Sequence, residues 1–88
     1  MSHLIKIKST EITVNATPNT VSNATAVRIV HQGTGSTSHL ITLANTTGTI
    51  GTFTIHAQSV EYLQKASTDT LSVDNGTDVT AVSIAFTN

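Results

Sequence analysis

The chain has no cysteine and no tryptophan, and only one proline. Without cysteine there is no disulfide and no thiolate zinc site to staple an 88-residue fold. Aromatics are 3% of the residues, namely Phe53, Tyr62 and Phe86, so the core has to come from Ile, Leu, Val and Ala. Charged residues are only 10%, and the formal net charge is -1. Lys6, Lys8, Arg28 and Lys65 are too few and too scattered for a phosphate-binding patch, so no nucleic-acid partner is expected. No apolar run is long enough for a signal peptide or a bilayer span, which predicts a chain made and folded in a cytosol with no membrane partner.

Threonine fills the space these absences leave, at about a fifth of the chain. Its β-branched side chain suits a pleated, half-buried surface and is poor in helices. Period-two alternation recurs along the sequence and no window sustains a helical period. Ile5 and Ile7 alternate with Lys6 and Lys8, and Ile12 and Val14 continue the pattern. A polar connection over 15–24 holds Pro18. A strand over 25–32 points Val27 and Ile29 inward and Arg28 outward. The turn signal 33–36 and a strand over 38–45 complete the clearest hairpin.

A further strand over 49–57 carries Ile50 out of phase with Phe53 and Ile55, and a bulge at Gly51 repairs the phase. Residues 59–65 alternate Val60 and Tyr62 against Glu61 and Leu63. Leu71 and Val73 form a short strand. Asp74-Asn75-Gly76 then signals a second hairpin, with Val73 opposite Val79. The last strand, about 78–87, sets Val82, Ile84 and Phe86 on one face. The reading is a single all-β domain over 1–88: a small antiparallel β-sandwich or jelly-roll-like barrel of about seven to eight short strands.

Candidate chemistry is sparse. A hairpin centred on Gly35 sets His31 opposite His39, and such a pair binds zinc or nickel only with a third ligand. None is identifiable in the sequence, because the acidic residues cluster elsewhere. Asp74-Asn75-Gly76-Thr77-Asp78 looks like half a calcium loop, but the twelfth position, where an EF-hand needs Glu, is Ala85. Gly33-x-Gly35 lacks the rest of a nucleotide fingerprint, and no Gly-x-Ser-x-Gly elbow occurs. Glu61 and Asp69 lack the sugar-sized cleft a glycosidase needs. The expectation is therefore no catalytic residue, no cofactor and no metal, with chelators leaving thermal stability unchanged.

Gly51-Thr52-Phe53-Thr54-Ile55, then Val60 to Leu71 with Lys65-Ala66-Ser67-Thr68-Asp69-Thr70-Leu71, and Ile84-Ala85-Phe86 at the end, resemble small virion proteins of tailed phages, many of them from marine and cyanobacterial hosts. Those chains commonly read Gly-Ser-Phe-Thr, a glycine-bearing turn, then a strand ending Glu-Lys-Ala-Pro-Thr-Asp-Thr-Leu. Here Gln64 replaces Glu, Ser67 replaces Pro, and the turn is His56-Ala57-Gln58. The resemblance covers residues 48–88 and implies a decoration or cement protein on the capsid exterior, made in the host cytoplasm. Its implied partner is the major capsid protein, and its implied assembly is a homo-oligomer, a trimer foremost. A tail, neck or fibre component and a small host- or glycan-binding module are the alternatives. Terminal strands are easily lent to a neighbour, so Ile5, Ile7, Ile84 and Phe86 are the expected contact residues. Within the motif, Thr68 and Asp69 are read as turn acceptors, and Lys65 beside Asp69 as a surface ion pair.

Overall fold

The computed structural model describes residues 4–33, 37–74 and 77–87, with side chains to residue 85. Eight strands run in chain order: β1 (Leu4–Ile7), β2 (Ile12–Thr13), β3 (Ala26–His31), β4 (Ser38–Asn45), β5 (Gly48–His56), β6 (Val60–Gln64), β7 (Thr70–Val73) and β8 (Val79–Thr87). No helix occurs among the described residues. One sheet is ordered β1-β8-β3-β6, with β2 also paired to β8, and the other is ordered β5-β4-β7. Every ladder is antiparallel. The domain is a β-sandwich only 22 Å across its thinnest direction, as expected for two sheets about 10 Å apart with their outer side chains.

The core follows from the alternation. Val27, Ile29, Val79 and Ala81 on one sheet meet Ile41, Ile55, Leu71 and Val73 on the other. Val14, Val21 and Ala24 add to this cluster, with Leu43, Phe53 and Leu63 packed against it. Ile50 is the extra residue of a bulge, because Leu43 pairs Gly51 while Ala44 pairs Thr49. That shift moves Ile50 out to solvent and leaves Ile55 buried, as the phase of the sequence requires.

Two expected hairpins are absent. β3 pairs β6 and β8, whereas β4 pairs β5 and β7, so the chain changes sheets between β3 and β4. It changes sheets again between β7 and β8, and Val79 faces His31 instead of Val73. The true hairpin is β4–β5, closed by Thr46 and Thr47 between the paired Asn45 and Gly48. There the Thr47 N–H donates to Asn45 Oδ1 at 2.9 Å. Turn residues report that the chain reverses; they do not report which sheet it rejoins.

The polar connection after β2 has work of its own. Asn19 and Leu71 exchange backbone hydrogen bonds of 3.0 and 2.8 Å, and the Val73 N–H reaches the Asn15 carbonyl at 3.0 Å, so this segment covers the β7 edge. It then turns through Val21, Ser22 and Asn23, all at φ of 56–58°. The Asn19 side chain accepts from the Val21 N–H at 2.7 Å and helps fix that left-handed turn.

Lys65 is not a surface ion-pair residue. It is 6% exposed, and its Nζ donates to the carbonyls of Ala24 at 2.8 Å and Asp69 at 2.9 Å. Asp69 is buried beside it, and its carboxylate accepts from the Ala66 N–H at 3.0 Å. This is the turn-fixing role expected of Asp69. The two residues together lock the β6–β7 connection against the end of the 20–24 turn.

Candidate functional site

Two regions bear on function. The first is a polar cluster at one end of the sandwich. The alternation that buries Val27 and Ile29 continues to His31, at the end of β3. On β4 the same phase runs His39, Ile41, Leu43. Both imidazoles therefore enter the space between the sheets: His31 is 0% and His39 7% exposed. Their ring centroids are 4.7 Å apart and tilted by 32°. The two histidines do face each other, but across the sandwich and not across a hairpin.

The acidic residues, distant in sequence, converge on the same place. The Asp74 N–H donates to the Leu40 carbonyl at 3.1 Å, which sets Asp74 beside His39. Its Oδ1 lies 2.9 Å from His39 Nδ1. The Asp78 carbonyl accepts from the Gln32 N–H at 2.7 Å, and its Oδ2 lies 3.6 Å from His39 Nε2. Gly33 closes the cluster: its N–H donates to His31 Nδ1 at 3.0 Å. A Cβ on Gly33 would lie 2.6 Å from His31 Cε1 and 2.8 Å from Asp78 Oδ2, so any larger residue would have to push these side chains aside.

These contacts set the tautomers of the neutral rings. In His39, Nδ1–H donates to Asp74 and the lone pair sits on Nε2. In His31, Nδ1 accepts from Gly33 and the hydrogen sits on Nε2. Both Nε2 atoms are buried without a hydrogen-bond partner. A buried donor and a buried acceptor are thus each unsatisfied, at a cost of about 1–3 kcal/mol apiece. Sequence reasoning found the histidines and, separately, Asp74 and Asp78 as half a calcium loop; it missed that the two groups meet, and it missed the part played by Gly33.

The second region is the outer face of the five-stranded sheet. The register sets Ile5 opposite Phe86 and Ile7 opposite Ile84. Ile84 lies two residues from Val82, which faces Arg28, and Arg28 in turn faces Tyr62. Core-facing positions of β8 are Val79 and Ala81, so the face carrying Val82 and Ile84 points away from the second sheet. Ile7 is 59% exposed, Ile5 is half-buried and Ile84 is buried. The Phe86 side chain lies outside the described residues. Val60 and Tyr62 extend the apolar strip on β6, and both are exposed. A shallow groove of about 440 Å³ runs over the small Ala26, between Tyr62 and Gln64 on one side and Lys8 and Ile84 on the other.

Comparison of the chain with protein-family models, with characterised proteins and with solved structures gives no match.

Proposed function

We propose that the protein is a virion structural component of a tailed phage, a capsid decoration protein that seats on the lattice of the major capsid protein. The resemblance of residues 48–88 to small phage virion proteins supplies the class of particle. The observation that carries the docking role is the outer face of the five-stranded sheet, where the exposed Ile7, Val60 and Tyr62 and the half-buried Ile5 present apolar surface around the buried Val82 and Ile84, with Arg28 between Tyr62 and Val82. Strands β1 and β6 end that sheet, so a neighbouring strand has an edge to join. A formal net charge of -1 lets many copies crowd on one shell without strong mutual repulsion.

The test is co-sedimentation with empty shells assembled from the major capsid protein of the same genome, with copies per particle counted. Saturation at hundreds of copies supports decoration. Saturation at tens on whole virions moves the protein to the tail or neck. No particle binding, together with selective retention on a glycan array, replaces the proposal with a receptor-binding module.

A further inference from the structure

We propose that His31, His39 and Asp78 form a binding site for a divalent transition metal, with zinc the best fit, and that Asp74 orients His39 from outside the coordination shell.

Three observations support it. The donor atoms of His31, His39 and Asp78 lie within 4.8 Å of one another. At zinc bond lengths of about 2.0–2.1 Å, tetrahedral donors sit about 3.3 Å apart, so no pair has to close by more than about 1.5 Å. The Asp78 side chain, 45% exposed, is free enough to make that movement, and Nε2 of His39 already stands 3.6 Å from it.

The second observation is the facing of two lone pairs. His39 Nε2 and the Asp78 carboxylate turn electron pairs toward each other with no hydrogen between them in the neutral ring, and a cation placed there converts that opposition into two bonds. The third is the Nδ1–H of His39 bound to Asp74 at 2.9 Å. A carboxylate on the far nitrogen fixes the tautomer and raises the basicity of a metal-binding imidazole. Two nitrogens and one oxygen, with solvent at the fourth position, suit zinc and exclude calcium and magnesium, which prefer all-oxygen shells.

His31 changes tautomer on binding. Its Nε2 hydrogen is lost to solvent and Nδ1 takes one up, so the ring remains neutral and Nε2 becomes the ligand. Nδ1–H then meets the Gly33 N–H, and the Gly33 amide gives up its bond and turns to solvent. The Gly33 amide is therefore a reporter of occupancy.

The experiment uses the full chain, stripped with chelator and dialysed. Zinc chloride is titrated in by calorimetry, and cobalt(II) is added in parallel for its visible spectrum. The expected results are uptake of one zinc per chain, a rise in melting temperature of several degrees, a tetrahedral cobalt band, and a shift of the Gly33 amide resonance. Asp78→Asn, a change at a part-exposed side chain, lowers zinc affinity at least tenfold. Asp74→Asn lowers it about 10–100-fold. His56→Ala, on an exposed strand position, leaves it unchanged. His39→Gln abolishes uptake, and its circular dichroism shows whether the fold survives. Absence of one-to-one uptake at 100-fold excess zinc overturns the site. So does uptake that Asp78→Asn leaves intact.

Discussion

His31 and His39 sit on opposite sheets, and their rings meet 4.7 Å apart at the end of the sandwich. The chain changes sheets once between His31 and His39 and again between Asp74 and Asp78, and these two crossings bring Gly33, Asp74 and Asp78 to the pair. The cluster is thus a product of the sandwich topology and would not exist in a chain of simple hairpins.

Close packing at that cluster makes Gly33 hard to replace. Gly33→Ala is expected to destabilise the domain by about 1–3 kcal/mol, since the added methyl overlaps His31 and Asp78. Gly51→Ala places its methyl in open space and is expected to gain about 0.5 kcal/mol through reduced unfolded-state freedom. Urea unfolding of the two variants checks the opposite signs.

Lys65 gives a pH signature. Burial lowers its pKa from the ordinary 10.5, and the nearby Asp69 carboxylate only partly opposes this. Between the lowered folded value and 10.5, the unfolded chain binds more protons than the folded one. Stability contributed through Lys65 therefore rises with pH across that window, and the cost of burying the charge is fully present below it. Lys65→Met removes this component and leaves the Ala24 and Asp69 carbonyls without their donor, a loss of about 1–3 kcal/mol at neutral pH. The gap between wild type and variant should widen as pH climbs through the window, in urea melts run at stepped pH. A constant gap defeats the account.

Left-handed backbone marks two stabilising changes. Ser22 (φ 58°) and Gln58 (φ 60°) are exposed and hold a conformation that costs L-residues about 1–2 kcal/mol. Glycine at either position is expected to gain up to about 1 kcal/mol after its own entropic penalty. Val21 (φ 56°) shares the geometry but is buried in the core. Val21→Gly is expected to destabilise, because losing about 1.5–3 kcal/mol of burial outweighs the relief. Melting temperatures of the three variants decide it.

Assembly can be read on the outer strip. Light scattering of the isolated protein is expected to give a homo-oligomer, a trimer foremost. Ile7→Lys and Tyr62→Lys are expected to lower shell occupancy at least tenfold while moving the melting temperature by no more than a few degrees, as both side chains are exposed. A monodisperse, stable monomer whose variants bind shells as well as wild type does removes the docking role.

The strands were legible because alternation survives in the letters: Val27 and Ile29 inward, Arg28 between them, and the phase break at Ile50 beside Gly51. Partnership between strands was not. Gly33 to Ser36 and Asp74 to Gly76 have the composition of hairpin turns, and nothing local distinguishes a return to the same sheet from a crossing to the other. The burial of both histidines was present in principle, since Val27-Ile29-His31 and His39-Ile41-Leu43 share one phase each. Asp74 and Asp78 were not, because their nearness to His39 depends on two crossings ending at the same rim. Lys65 misled for a similar reason: its acceptors include Ala24, far along the chain.

β8 lies between β3 and the β1–β2 edge, and it is the last of the eight strands to leave the ribosome. At ~5–20 residues per second, the first three strands wait on the order of seconds for the strand they all pair with. Until then β1 and β2 have no ladder to join and β3 has only β6, and a nascent chain with bare aliphatic strands would seek other nascent chains. These three strands hold one threonine, Thr13, so what keeps them hydrated in that interval is charge set among the aliphatics, Lys6 in β1 and Arg28 in β3. The charges that line the finished strands thus also guard the unfinished ones.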